Sequence, residues 1–269
     1  MSLTQSEIIE ILKVHRLAPL RRLGQNFLVD KNIIEKVISL IDQNESVVEI
    51  GPGLGALTVP VAQKAKEVIA FEKDEKIAEI LENEILPPLN NVTVIKSDIL
   101  RISEIEMTGD YTLLANLPFY ITSIVIRKFL ESSKPPKKMV LMVQREVAKR
   151  ICSNPPNMNL LALSVQFYAK PKIVFNVSKN SFWPPPKVDC SILIIERDPS
   201  LKGDPVKFFK AARAGFSRPR AQLLNNLSKE LKLNKEEIEK TLLSLKIDPK
   251  RRAESLNLNE WLKLSQEIE

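Results

Sequence analysis

Apolar residues run along this chain in two rhythms, and the change between them divides it. Between residues 46 and 196, short unbroken apolar runs alternate with amphipathic stretches. Ser46–Ile50, Glu67–Phe71, Val92–Ile95, Tyr111–Ala115 and Met139–Val143 are rich in Val, Ile and Leu and read as buried strands. The intervening segments carry helical spacing: from Gly55 through about Ala65, Asp74–Asn83 and Ile121–Leu130. Strand and helix in alternation predict an α/β fold with a doubly wound, mostly parallel sheet. Helices follow at Gln144–Cys152 and Leu160–Tyr168, and strands at Ile173–Val177 and Cys190–Glu196. Phe182-Trp183-Pro184-Pro185-Pro186 is too proline-rich for either and predicts a stiff, ordered loop. Ahead of the first strand, Ile8, Ile9, Leu12 and Val14 predict a short helix from Ser6, and Asp30 caps another over Lys31–Ile41.

From Asp198 the rhythm becomes helical throughout, over Pro205–Gly215, Ala221–Lys232, Lys235–Leu245 and Asn259–Gln266. The expected division is a domain over 1–199 and a small all-helical domain over 200–269. Phe208, Ala212 and Phe216 share one helix face and read as core rather than as a stacking surface.

Charge sharpens this division. The chain has 269 residues and a formal net charge of +7. Residues 201–269 hold 15 Lys plus Arg against 10 Asp plus Glu, so most of the surplus sits in the helical tail. Lys207, Lys210, Arg213, Arg218 and Arg220 fall in a window without an acid, Arg21 and Arg22 belong to a second cluster with Lys13 and Arg16, and Arg145, Lys149 and Arg150 make a third, interrupted by Glu146. Each cluster alone reads as a solvated face; the three together, beside a motif suited to adenine, point to RNA or DNA. One histidine, His15, and two distant cysteines, Cys152 and Cys190, argue against a zinc site, a His-dependent triad and a disulfide. No metal is expected. No apolar run has the length of a membrane span, and the polar N-terminus is unlike a signal peptide, so a cytoplasmic protein is expected.

The candidate chemistry lies at the strand ends. Three of only seven glycines fall in Gly51-Pro52-Gly53-Leu54-Gly55, between a strand and a helix, where glycine lets backbone approach a ligand. Glu72 ends the second strand, 21 residues after Gly51, where an acid holds ribose hydroxyls. These two features suit NAD and S-adenosylmethionine alike, since both carry an adenosine. Asp98, after the third strand, and Asn116-Leu117-Pro118-Phe119, after the fourth, favour the methyl donor. The exocyclic amine of adenine is a poor nucleophile because its lone pair is delocalised. The Asn116 side-chain oxygen and the Leu117 carbonyl would accept its N–H bonds and aim the lone pair. Pro118 would fix that carbonyl, and Phe119 would stack on a flipped base. As a bare strand-to-helix turn the same four residues would need none of this.

With these residues in place the sequence resembles the ribosomal RNA adenine dimethyltransferases that modify two adjacent adenosines near the 3′ end of small-subunit RNA. The resemblance runs through Leu23-Gly-Gln-Asn-Phe-Leu28, Val48–Thr58, Glu72, Ser97-Asp98, Asn116–Phe119, Gln144–Ala148, Phe182–Asp189, Phe216-Ser-Arg218 and Arg252–Leu256. It implies a class I methyltransferase (Rossmann-like) domain whose seven-stranded sheet ends in an antiparallel strand. It implies that Asn26 and Leu28 close over S-adenosylmethionine, that Gly51 and Gly53 line its methionine part, and that Glu72 holds the ribose and Asp98 the adenine. Asn116 would meet both donor and target amine. The helical domain and the basic N-terminal loop would contact RNA of a small or pre-ribosomal subunit, with the enzyme a monomer. The chain departs from the family pattern at Phe119, commonly Tyr, and at Tyr120, usually Asn. The alternatives are the large-subunit RNA methyltransferases of macrolide resistance and a non-catalytic RNA-binding or transcription factor on the same fold.

Overall fold

A computed structural model describes residues 3–105, 109–118, 120–200 and 203–268. By contact it resolves into two units, Met1–Ala148 with Lys172–Arg197, and Lys149–Pro171 with Asp198–Glu269.

The first unit is built on a seven-stranded sheet. Its strands are β1 (Ser46–Ile50), β2 (Glu67–Glu72), β3 (Val92–Lys96), β4 (Tyr111–Asn116), β5 (Lys138–Gln144), β6 (Ala169–Val177) and β7 (Cys190–Arg197). They lie in the order β3-β2-β1-β4-β5-β7-β6. The pairs β3–β2, β2–β1, β1–β4 and β4–β5 are parallel, and β7 is antiparallel to β5, as the resemblance implies. Every residue of β1 is buried, and so is β4 up to its last residue. Unbroken apolar runs make central strands because both sheet faces are covered. The strand order reverses between β1 and β4, so a crevice opens past their carboxyl ends.

The helices of this unit are α1 (Gln5–Val14), α2 (Lys31–Ser39), α3 (Thr58–Ala62), α4 (Glu75–Ile80), α5 (Thr122–Leu130) and α6 (Arg145–Ile151), the last of which runs into the second unit. Asp30 caps α2 through Asn32 and Ile33 N–H groups, as its position predicts. The helix expected from Gly55 starts later, at Thr58, because the glycine loop turns through positive φ at Gly51, Gly53 and Gly55. The stretch Phe182–Trp183 corrects the loop expectation. These two residues form a strand paired antiparallel with Phe27–Leu28. The prolines begin only at 184, so both aromatics keep the N–H groups a ladder needs.

The second unit contains α7 (Leu160–Gln166), α8 (Pro205–Gly215), α9 (Leu223–Leu231), α10 (Lys235–Ser244) and α11 (Leu258–Glu267). Strong caps start these helices: Asp204 with Pro205 at the first turn of α8, Asn234 on α10, and an Asn257–Glu260 capping box on α11. Phe208, Ala212, Leu223, Leu227 and Trp261 are fully enclosed in one core, and Phe216 stacks on Trp261. The face Phe208-Ala212-Phe216 is therefore core. Ala162 and Leu163 of α7 are buried in this same cluster, and Phe167 meets Phe208 with ring centroids 4.4 Å apart. The helix α7, with Met158 before it and Phe167 after it, thus packs in the helical core, although it precedes β6 in the chain. Among the described residues no helix is long and apolar enough to cross a membrane.

Candidate active site

One pocket at the carboxyl edge of the sheet gathers Asn26, Leu28, Gly51, Gly53, Glu72, Asp98, Asn116 and Pro118. The register explains the gathering: Ile50 lies level with Phe71 on one side and Ala115 on the other, and Glu72 lies level with Lys96. Four parallel strands therefore release their next residues at one height.

Glu72 is buried and binds two turns together. Its Oε2 accepts from the Gly53 N–H at 3.1 Å, and its Oε1 from the Asp74 N–H at 2.9 Å. Burial nevertheless raises its carboxyl above the ordinary value. Gly53 has φ +57, and a Cβ there would sit 3.3 Å from the Phe27 ring, so the loop has no room for a side chain.

Asp98 engages both oxygens. Oδ1 accepts from Leu100 N–H at 3.0 Å, and Oδ2 meets the Lys73 ammonium at 2.8 Å. Burial acts to raise its pKa, but the bonds from Lys73 and Leu100 outweigh it and hold the carboxyl below the usual value. Lys73 was not among the residues expected here, although it follows Glu72 directly.

At the end of β4, Asn116 Nδ2 donates to the Asn26 carbonyl at 3.2 Å, and Asn26 Nδ2 donates to the Gly24 carbonyl at 2.9 Å. Gly24 has φ +68, and a Cβ on it would lie 3.0 Å from Pro118. The basic loop is thus fitted against the Asn-Leu-Pro turn. Gln25 anchors it further, accepting from Leu20 N–H and donating to Asp74 Oδ2 at 2.8 Å. Leu117 is buried and its N–H donates to Met142 O at 3.2 Å. Among the described residues neither Asn116 Oδ1 nor the Leu117 carbonyl accepts a hydrogen bond. Phe119 lies outside the described residues.

Glu49 is the residue that sequence reasoning passed over. It lines the pocket from inside β1, only 2% exposed, and its Oε2 has no hydrogen-bond partner among the described residues. Burial, with a smaller push from the Glu72 charge, raises its carboxyl to about 8. An acid interrupting an otherwise apolar central strand was the signal available in the sequence.

The basic residues divide differently. Arg21 and Arg22 stand exposed on a 3₁₀ turn ahead of Gly24. On α8, Lys210 and Arg213 are exposed and line a surface hollow with Glu230, Leu231 and Lys232, while Lys207 is half-buried. Arg220 is exposed. Arg218 has a bonding role within the unit: Nε donates to Asn226 Oδ1 at 3.2 Å and a guanidinium NH₂ to Asn225 O at 3.0 Å.

Comparison with known proteins fits this geometry. Residues 19–269 match the family model described as ribosomal RNA adenine dimethylase. A ribosomal RNA small subunit methyltransferase A from Dehalococcoides mccartyi (strain CBDB1) is 43% identical, over 95% of this chain and 90% of the relative. The crystal structure of a dimethyladenosine transferase from Plasmodium falciparum superposes with a TM-score of 0.77 at 28% identity, over 88% of this chain and 95% of that one. The crystal structure of the 23S rRNA methyltransferase ErmE shares the fold, with a TM-score of 0.75 at 22% identity over 90% of this chain and 99% of its own.

Proposed function

The chain belongs to the ribosomal RNA adenine dimethylase family, and on that premise we propose that it transfers methyl groups from S-adenosylmethionine to the exocyclic amines of two adjacent adenosines near the 3′ end of small-subunit ribosomal RNA. The observation that carries this reading is Asn116, whose Oδ1 accepts no hydrogen bond among the described residues, in the lining of a pocket whose other polar groups suit an adenosine-bearing cation, with the Leu117 carbonyl next to it in the chain. The residues present fit that cofactor. Glu49 Oε2, buried and without a partner, would take the ammonium of the methionine part beside Gly51 and Gly53. Glu72 would hold the ribose and Asp98 the adenine, with Asn26 and Leu28 covering the site. When bound, the cofactor supplies an electrophilic methyl group on a sulfonium.

The protein's part is to bind, aim and exclude water. Asn116 is held through its amide nitrogen, so its oxygen is presented in one direction. With the Leu117 carbonyl it would accept the two amine N–H bonds and turn the nitrogen lone pair toward the methyl group. Pro118 limits how far that carbonyl can swing. Proximity and orientation supply most of the rate, and no covalent enzyme intermediate is needed. The methylated amine is acidic and loses its proton to water, and a second cycle completes the dimethyl product. Arg21, Arg22, Lys207, Lys210, Arg213 and Arg220 would contact the phosphates of a small or pre-ribosomal subunit, in the cytoplasm and as a monomer. Arg218 would act by holding α9.

The test is transfer of labelled methyl to purified small and large subunits lacking the modification, with the labelled nucleoside identified. Dimethyladenosine in small-subunit RNA is the expected result. Label only in large-subunit RNA would assign the chain to resistance-type chemistry, cofactor binding without transfer to either would point to another RNA or a missing partner, and no cofactor binding at all would leave an RNA-binding module.

A further inference from the structure

Tyr120 is the one exposed aromatic among the described residues. It is 57% accessible, whereas the remaining described aromatics are buried or half-buried. A large ring left in water forgoes a sizeable burial free energy, although isolated exposed apolar residues are common on protein surfaces. Three facts set this one apart. Tyr120 lines the mouth of the pocket together with Pro118, Lys73 and Asp98. The turn that contains it is closed by hydrogen bonds: Ile121 N–H donates to the Pro118 carbonyl at 3.1 Å, and the Thr122 hydroxyl donates to the same oxygen at 3.4 Å. Ile124, in the first turn of α5, is also 55% exposed, so a second large apolar side chain stands in water just past the turn that carries Tyr120.

We propose that Tyr120 is a stacking platform for the nucleotide next to the adenosine being methylated. This rests on the reading of the pocket given above. A base drawn toward Asn116 leaves its neighbour in the strand without a stacking partner on that side, and unstacking costs free energy. An exposed aromatic at the exit offers that neighbour a replacement face, and stacking on aromatic rings is tolerant of base identity. The place of Tyr120 in the lining of the pocket selects an RNA nucleotide as occupant over a second copy of the chain. Since both adjacent adenosines are substrates, each serves in turn as target and as neighbour. Tyr120 would therefore govern passage from the first modified adenosine to the second. It is a positioning residue for RNA, with no part in holding the cofactor.

The experiment compares wild type with Tyr120→Ala, Tyr120→Asn, Tyr120→Phe and Asn116→Ala. It measures cofactor affinity by calorimetry, KM and kcat on small subunits, and the proportion of RNA carrying modification on one adenosine against both. Tyr120→Ala and Tyr120→Asn should raise the KM for subunits roughly tenfold, the scale of one lost base–aromatic stack, and leave mainly singly modified pairs. Their cofactor affinity should stay within twofold of wild type, which also shows that they are folded. Tyr120→Phe should rescue most of both RNA readouts. Unchanged KM and product distribution in Tyr120→Ala would overturn the proposal, as would an effect confined to cofactor affinity or a change in oligomeric state that accounts for the loss. Wild type without transfer to the subunit, indistinguishable from Asn116→Ala, would overturn the underlying reading of the pocket.

Discussion

At the carboxyl edge of the sheet the charged groups are few and mostly bonded, with Glu49 and Glu72 buried and Asp98 half-buried, whereas on α8 Lys210 and Arg213 face water. Glu72 uses both oxygens to tie the glycine loop to the start of α4, and Asp98 uses both on Leu100 and Lys73. Lys210 and Arg213 instead stand on a helix whose opposite face, with Phe208 and Ala212, fills a core. The two regions handle polar ligands by different physics. In the pocket, desolvation makes each polar atom costly unless it is placed, so position carries the function. On the basic face, solvent screens each charge, so number and sign carry it and single positions matter little. Substitutions should therefore act in an all-or-none way in the first region and in graded steps in the second.

The sharpest way to break this contrast is Asn116→Ala. It removes one of two acceptors aimed at the target amine, and transfer should fall by at least about a hundredfold, on the scale of other placed polar groups in active sites. Cofactor affinity should weaken only several-fold, because Asn116 is tied to Asn26 rather than to Glu72 or Asp98. Single-turnover transfer beside calorimetric affinity separates the two. Near-normal turnover would show that the carbonyl alone suffices and that placement is not decisive.

A smaller effect probes the helical unit through its packing. A Cβ on Gly215 would lie 2.3 Å from the Trp261 ring, so one of them must move. Gly215→Ala gains helix propensity of about 1 kcal/mol, yet overpacking a filled core costs about 1–3 kcal/mol. The net expectation is lower stability by denaturant titration, with cofactor affinity unchanged. A stabilised variant would mean that Trp261 shifts freely and that this core is loosely packed.

Graded behaviour is tested by Lys210→Gln with Arg213→Gln. If both cations meet phosphates, the slope of log affinity against log salt should flatten by roughly 1.5, and affinity at low salt should drop without loss of kcat. An unchanged slope would assign the hollow beside α9 to an ordinary solvated face.

How much of this was legible in the sequence follows the same division. The sheet was readable because unbroken apolar runs have few alternatives to central strands, and the glycine cluster, Glu72, Asp98 and Asn116 announced themselves by sitting where such runs end. The pairing of Phe27–Leu28 with Phe182–Trp183 was not readable, because two residues carry no periodicity and the following prolines dominate the local pattern. Nor was the grouping of α7 with the helical core, since Ala162 and Leu163 look equally apt against a sheet or a helix. Charge clustering marked Arg218 as an RNA contact, but cation content alone does not distinguish a free guanidinium from one bonded to Asn225 and Asn226. Lys73 was missed because its role depends on Asp98, a partner that only the folded chain brings to it, whereas Glu49 carried a signal, an acid inside an apolar strand, that went unused.

Glu49 gives the finest test of position against charge number. Its carboxyl is raised to about 8 by burial, so at pH 7 the ligand-free protein holds it mostly protonated. Between the ordinary carboxylate value and 8 the folded chain binds more protons than the unfolded one, and stability must fall as pH rises through that window. A cofactor ammonium placed against Oε2 would favour the carboxylate and expel the proton. Binding at pH 7 should therefore release close to one proton, read as a dependence of binding enthalpy on the ionisation enthalpy of the buffer. Glu49→Gln should release none and should hold its stability better toward pH 9. Equal proton release in both proteins would place the ammonium elsewhere and leave Glu49 as a buried structural acid. A release that vanishes in Glu49→Gln would show one buried atom, without any gain in net charge, setting the electrostatics of the pocket.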